Sequence, residues 1–199
     1  MLMTMPQVGV FAASFPDTVG ANCETAVDVL TAFGIVEGRP EGTYDPEGSL
    51  TRAEMATIIL RAINLADSVA GQDIFADVPS THWAYGYVST AWQMGIINGM
   101  DAQTFAPDES VTYEQAVKMV VAALGYGVQA DALGGYPTGY LVKATQLDLL
   151  KGVSTDKTMT RGNMAILLYN ALDTPLAERT SYGNDDLEYK FDDDVTLLT

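Results

Sequence analysis

The sequence predicts an all-α fold in which three helix-loop-helix units pack against one another. Three observations predict it. A Thr followed by a one-sided apolar stripe occurs three times, as TRAEMATIILRAI from Thr51, TYEQAVKMVVAAL from Thr112 and TRGNMAILLYNAL from Thr160. A shorter apolar stretch ending on a glycine precedes each: TAFGIVEG at Gly38, TAWQMGIING at Gly99 and ATQLDLLKG at Gly152. Finally, 48% of the 199 residues are apolar, enough to bury a shared core.

Along the chain, MLMTMPQVGVFAASFPD opens with an apolar run and the small-residue pattern Val10-Phe11-Ala12, but has no basic start. Residues 1–13 therefore read as the back half of a secretory signal, with a first strand or helix as the alternative. The first helix of each unit aligns through Val27, Leu30, Phe33 and Ile35, then Val88, Ala91, Met94 and Ile96, then Leu141, Ala144, Leu147 and Leu149. The glycine behind each is expected to form a left-handed C-cap. The connections EGTYDPEGSL and DAQTFAPDESV share an aromatic, Tyr44 or Phe105, followed by a Pro that enforces a turn. The third connection is five residues shorter.

The second helices begin at capping boxes, Thr51 with Glu54 and Thr112 with Gln115, and at a weaker version, Thr160 with Asn163. Their stripes are Met55, Ile58, Ile59, Ala62 and Ile63, with the same register at Ala116 to Leu124 and Met164 to Leu172. One two-helix unit cannot cover its own apolar face, so the three must pack together. The units are expected at 14–67, 73–126 and a shortened 127–176. Residues 177–199 read as an acidic linker or the start of a missing domain.

Charge and composition exclude several functions. A net charge of -16 repels nucleic acid and anionic membrane surfaces. The single cysteine, Cys23, rules out an internal disulfide or a multi-Cys metal site and reads as a buried structural thiol. No stretch after the N-terminal run is long and apolar enough to span a bilayer. His82 is the only histidine and has no nucleophile context, and Asp45 with Glu47 lacks calcium-loop spacing. The expectation is no catalysis, no metal and no cofactor. Trp83 and Trp92, taken alone, read as packing residues.

Several short motifs in order carry a family resemblance: Thr51-Arg52-Ala53-Glu54, Phe75-Ala76-Asp77-Val78, His82-Trp83-Ala84, Gly95-Ile96-Ile97-Asn98-Gly99 and Phe105-Ala106-Pro107-Asp108. Over residues 15 to about 176 the chain resembles S-layer homology domains. The resemblance implies a pseudo-threefold trimer of units around a central helical bundle. It also implies noncovalent anchoring of an exported protein to secondary cell wall polysaccharide at the bacterial cell surface. A cargo domain would follow on the C-terminal side. Grooves between units would bind sugars, commonly pyruvylated, with an arginine on the anionic group. The implied glycan-binding residues are Arg52, Arg161, Asp77, Trp83, Gly38, Gly99, Ser49 and Asp17. Unit 2 departs at Tyr113, unit 1 has Asn22 in place of the Trp, and unit 3 has no recognisable opening motif.

Physical chemistry adds one expectation. Arg52 lies in the first turn of its helix, where exposed amides and the helix dipole would favour an anion beside the guanidinium. A degenerate scaffold that binds no glycan is the alternative reading.

Overall fold

The computed structural model describes residues 15–156, 158–179, 189–192 and 195–197. The expected signal segment, residues 1–13, lies outside them. Among the described residues seven α-helices carry the fold: α1 (Glu24–Ala32), α2 (Arg52–Ala62), α3 (Tyr85–Gln93), α4 (Tyr113–Ala123), α5 (Gly127–Ala132), α6 (Thr138–Gln146) and α7 (Arg161–Ala171). The all-α expectation holds, with α1/α2, α3/α4 and α6/α7 as the three pairs. The sequence reading did not include α5, a one-and-a-half-turn helix between units 2 and 3.

Each pair packs on the next: α1 on α7, α2 on α3, and α4 on α6. Short antiparallel bridges link the segments that enter the second helices, Thr51 with Ser110, Thr112 with Thr158, and Ser49 with Thr160. These three links close a ring. At its centre are Leu50, Val111 and Met159, each one residue before a capping Thr and each at most 1% exposed. Thr51 and Thr112 form complete capping boxes. Thr160 accepts from the Asn163 amide, but the Asn163 side chain is too short to reach back and instead accepts from the Ser154 amide, bracing the shortened loop.

The left-handed C-cap falls four residues earlier than expected. The positive-φ residues after α1, α3 and α6 are Gly34, Gly95 and Asp148. In each case this residue and its successor bond back to the last helical turn, as in Gly34 N–H to Thr31 O and Ile35 N–H to Leu30 O. Of the three glycines expected there, Gly152 does take a positive φ, of 75°, whereas Gly38 and Gly99 have none and are required for space. A Cβ on Gly38 would strike the Phe15 ring and the Thr43 carbonyl, and one on Gly99 the carbonyls of Asp101 and Thr104 and the Phe75 ring.

After α7 the chain forms a two-stranded antiparallel hairpin, β1 (Leu176–Arg179) with β2 (Tyr189–Asp192). The Ala177 amide donates to Leu124 O at the end of α4, and the Tyr126 hydroxyl donates to Pro175 O. The segment from residue 177 thus begins docked on the helices. Cys23 is buried, as expected.

Candidate functional site

The two arginines of the repeat are almost fully buried, each 5% exposed. Each leaves its own unit and enters the loop of the next. Arg52 Nε donates to Phe105 O at 2.8 Å and Nη2 to Asn98 O at 2.9 Å, with the guanidinium 4.5 Å above the Phe105 ring. Arg161 repeats this with Tyr44 O and Glu37 O, both at 2.8 Å, and sits 4.6 Å above the Tyr44 ring. Among the described residues no carboxylate pairs with either guanidinium. Burial lowers the Arg52 pKa from its ordinary value.

Asp77 and Asp17 shape the loops that receive these arginines. Asp77 accepts from the amides of Phe105 and Ala106 at 2.9 and 2.7 Å, and Asp17 from those of Tyr44 and Asp45 at 2.8 and 2.7 Å. Partial desolvation pushes the Asp17 pKa up, but the Tyr44 and Asp45 amides outweigh it and hold the carboxyl below its usual range. Ala106 and Asp45 are held at φ of 60° and 62°, so each carboxylate anchors a left-handed residue. A ring pair completes each loop, Phe75 with Phe105 and Phe15 with Tyr44, with centroids 5.6 Å apart in both.

The expectation of open first-turn amides is overturned. Arg52 and Ala53 N–H donate to Glu109 O and Pro107 O, while Arg161 and Gly162 N–H donate to Gly48 O and Pro46 O. The third amide in each helix is held by the capping Thr. The N-termini of α2 and α7 are consumed in joining one unit to the next and leave no amide cradle for an anion beside either arginine.

Two grooves border the buried guanidiniums. The first, about 190 Å³, lies between Val36–Arg39, α2, Trp83 and Arg161. The second, about 360 Å³, lies between Ile97–Met100, α4, Tyr136 and Arg52. Each takes residues from three units in the same pattern. Of the expected site residues, Arg161, Gly38 and Trp83 meet in the first groove, and Arg52 and Gly99 in the second. Arg52 and Trp83 therefore lie in different grooves. Asp17, Asp77 and Ser49 are outside both linings, and Ser49 pairs with Thr160 at the ring closure.

Trp83 and Trp92 are 57% and 44% exposed, so neither is the packing residue that composition suggested. His82 accepts from the Ala84 amide through Nδ1 and stacks on Trp83.

Two residues of the second groove were missed in the sequence. Tyr136, 55% exposed, occupies the Trp83 position of unit 3. The repeat register contained the signal, because Asn22, Trp83 and Tyr136 each precede an aligned first-helix residue (Val27, Val88 or Leu141) by five positions. Lys118 is 8% exposed inside the α4 stripe, and its ammonium donates to Gly95 O at 3.2 Å and Ile96 O at 2.8 Å. Burial lowers its pKa to about 8. A lone Lys between Val117 and Met119 was the available clue.

The grooves differ in charge. In the first, Arg39 pairs with Asp45 and Glu54, and Arg61 with Glu37, so most of its cations are neutralised locally. The second is lined by Arg52 and Lys118 and by no carboxylate.

Comparison with known proteins is consistent with this architecture. The S-layer homology domain family matches residues 14–56 and 74–117. The chain is 36% identical over 169 residues to the middle cell wall protein of Brevibacillus brevis, covering 83% of this chain and 16% of that protein. It is 34% identical over the same length to the surface layer protein of Brevibacillus choshinensis, covering 83% and 15% respectively. An amylopullulanase of Thermoanaerobacterium thermosulfurigenes is 32% identical over 110 residues, 55% of this chain and 6% of that enzyme. The chain thus spans under a fifth of the length of these curated relatives. From the repeated capped helices, the interlocked arginine loops and these matches, the chain belongs to the S-layer homology domain family, as a noncatalytic module.

Proposed function

We propose that the chain is a cell-surface anchoring module that holds an anionic secondary cell wall polysaccharide, with a pyruvylated sugar as the unit recognised. The observation that carries this reading is the second groove. It holds two buried cations without an acidic lining residue, in a protein of net charge -16. An acidic surface gives a polyanion no long-range attraction, so binding must come from local contacts of this kind. Tyr136 offers an exposed ring for a sugar face. The first groove, with Trp83 and its paired charges, is suited to a less charged stretch of the same polymer.

The names of the relatives, a cell wall protein and a surface layer protein, point the same way. In the amylopullulanase the matched segment is a small fraction of the protein, and we extend that arrangement to this chain as a holder for attached cargo. The scaffold reading draws on a different observation, that both arginines are engaged in joining units.

Cosedimentation with Brevibacillus brevis sacculi, before and after hydrofluoric acid removes the secondary polymer, separates the two. The anchoring reading expects sedimentation that is lost on acid treatment and weakened at least tenfold in Tyr136→Ala, whose exposed side chain can be removed at little cost to stability. No sedimentation with untreated sacculi refutes it.

A further inference from the structure

The second groove contains a charge that the repeat motif does not supply. Lys118 lies six residues after the capping Thr112, where unit 1 has Thr57 and unit 3 has Ile166. Two of its three N–H donors are fixed on Gly95 O and Ile96 O, which holds the ammonium at the groove and, among the described residues, leaves one donor for a ligand. Arg52 lines the same groove with Nε and Nη2 occupied. Neither cation has an ion-pair partner among the described residues.

We propose that Lys118 is the second charge contact for the acidic group of the ligand, and that wall attachment is proton-linked through it, weakening as the medium becomes alkaline. This inference rests on the anchoring reading above. The groups facing Lys118 set the sign. From α2, Arg52 disfavours its charge, while from α5, Asp131 favours it through space. Asp131 is shared with the Tyr140 hydroxyl of α6, and Lys143 of the same helix lies over the Tyr126 ring. Tyr136 lines the groove without an acid beside it. An anionic group entering between Arg52 and Lys118 therefore favours the protonated lysine.

The arginine cannot act as the switch because a guanidinium remains charged throughout the accessible range. Lys118 is already close to half-neutral at pH 8, a proton that ligand binding must restore. By linkage, affinity falls with pH above that point, reaching roughly a tenfold loss between pH 7 and 9.5.

The test is binding of the full chain to Brevibacillus brevis sacculi across pH 6.5–9.5, for the wild type, Lys118→Arg and Lys118→Met, with circular dichroism at each pH as the folding control. The wild type is expected to lose roughly tenfold in affinity over this range. Lys118→Arg is expected to bind at a level independent of pH, which also removes any titration of the wall itself as the cause. Lys118→Met should be weaker at pH 7 and flat thereafter. Parallel decline of the wild type and Lys118→Arg overturns the proposal, as does Lys118→Met binding within twofold of wild type at pH 7. Acid-sensitive, Tyr136-dependent binding that does not vary with pH overturns this inference alone. Absence of wild-type binding at every pH removes the anchoring reading with it.

Discussion

Replacing Arg52 by Ala tests whether the guanidinium is chiefly a joint between units. It removes the bonds to Phe105 O and Asn98 O and the contact with the Phe105 ring, and leaves the Phe105 carbonyl without this donor in a buried loop. A hydrogen bond from a charged donor contributes about 1.5 kcal/mol or more net, and a partly desolvated cation–π contact about 1 kcal/mol. Deleting a cation from a site with no paired carboxylate strands no opposite charge, so the usual surcharge for breaking a buried ion pair does not apply. The expected loss is about 3–4 kcal/mol, which at this chain length lowers Tm by about 10 °C. Urea unfolding followed by circular dichroism measures it, with Arg52→Lys recovering less than half because an ammonium cannot form the same fork. A loss below about 1 kcal/mol would refute the joint. The consequence for binding studies is direct: reduced wall binding by Arg52→Ala reports on the ligand only when the variant is shown to be folded.

Three further outcomes follow from the same geometry. Lys118 binds its proton less tightly folded than unfolded, with a pKa of about 8 against an ordinary 10.5, so the unfolded state holds more protons between these values. Stability should therefore rise as pH climbs from about 8 toward 10, by on the order of 2 kcal/mol, and Lys118→Met should abolish that rise in urea melts at successive pH. Ala106→Gly should stabilise by about 0.5–1 kcal/mol in thermal melts, because a Cβ at φ 60° is strained and glycine relieves more than its chain entropy costs. Gly99→Ala should destabilise by about 2 kcal/mol or more, since its Cβ meets two backbone carbonyls that cannot move aside, and loss of the urea midpoint shift would contradict that reading.

The helices were legible because their signals are local. A Thr with Glu or Gln three residues on, then an apolar stripe at helical spacing, fixes an N-terminus and a buried face without reference to the rest of the chain. The roles of Arg52 and Asp77 were not, because their partners are distant: Arg52 bonds a carbonyl 53 residues away and Asp77 an amide 28 residues away. Backbone carbonyls and amides have no signature in a sequence. A first-turn arginine bound for a neighbouring loop reads the same as one facing solvent. The C-cap was misplaced for a related reason: in units 1 and 2 two glycines stand four apart, the first needed for its left-handed backbone and the second for space, while in unit 3 Asp148 and Gly152 both take a positive φ, and glycine spacing alone does not tell these requirements apart.

The departures from the motif in units 2 and 3 are better understood as one change than as two defects. In this ring the arginine of each unit serves the loop of its neighbour, unit 1 reaching Phe105 in unit 2 and unit 3 reaching Tyr44 in unit 1. By the same rule the arginine of unit 2 would serve the loop of unit 3. That loop is five residues shorter and has no aromatic to lie under a guanidinium, and the Lys151 carbonyl, the counterpart of Asn98 O, already accepts from the Asn170 side chain, so an arginine at position 113 would be buried with poor partners at a cost of several kcal/mol. Tyr113, 7% exposed, fills the position with an apolar ring instead. Restoring the arginine alone, as Tyr113→Arg, should therefore destabilise the fold by about 2 kcal/mol or more, measured by urea unfolding, although it returns the sequence to the motif. A neutral or stabilising result would show that the third junction already holds acceptors for a guanidinium, and the coupling between the short loop and Tyr113 would fall.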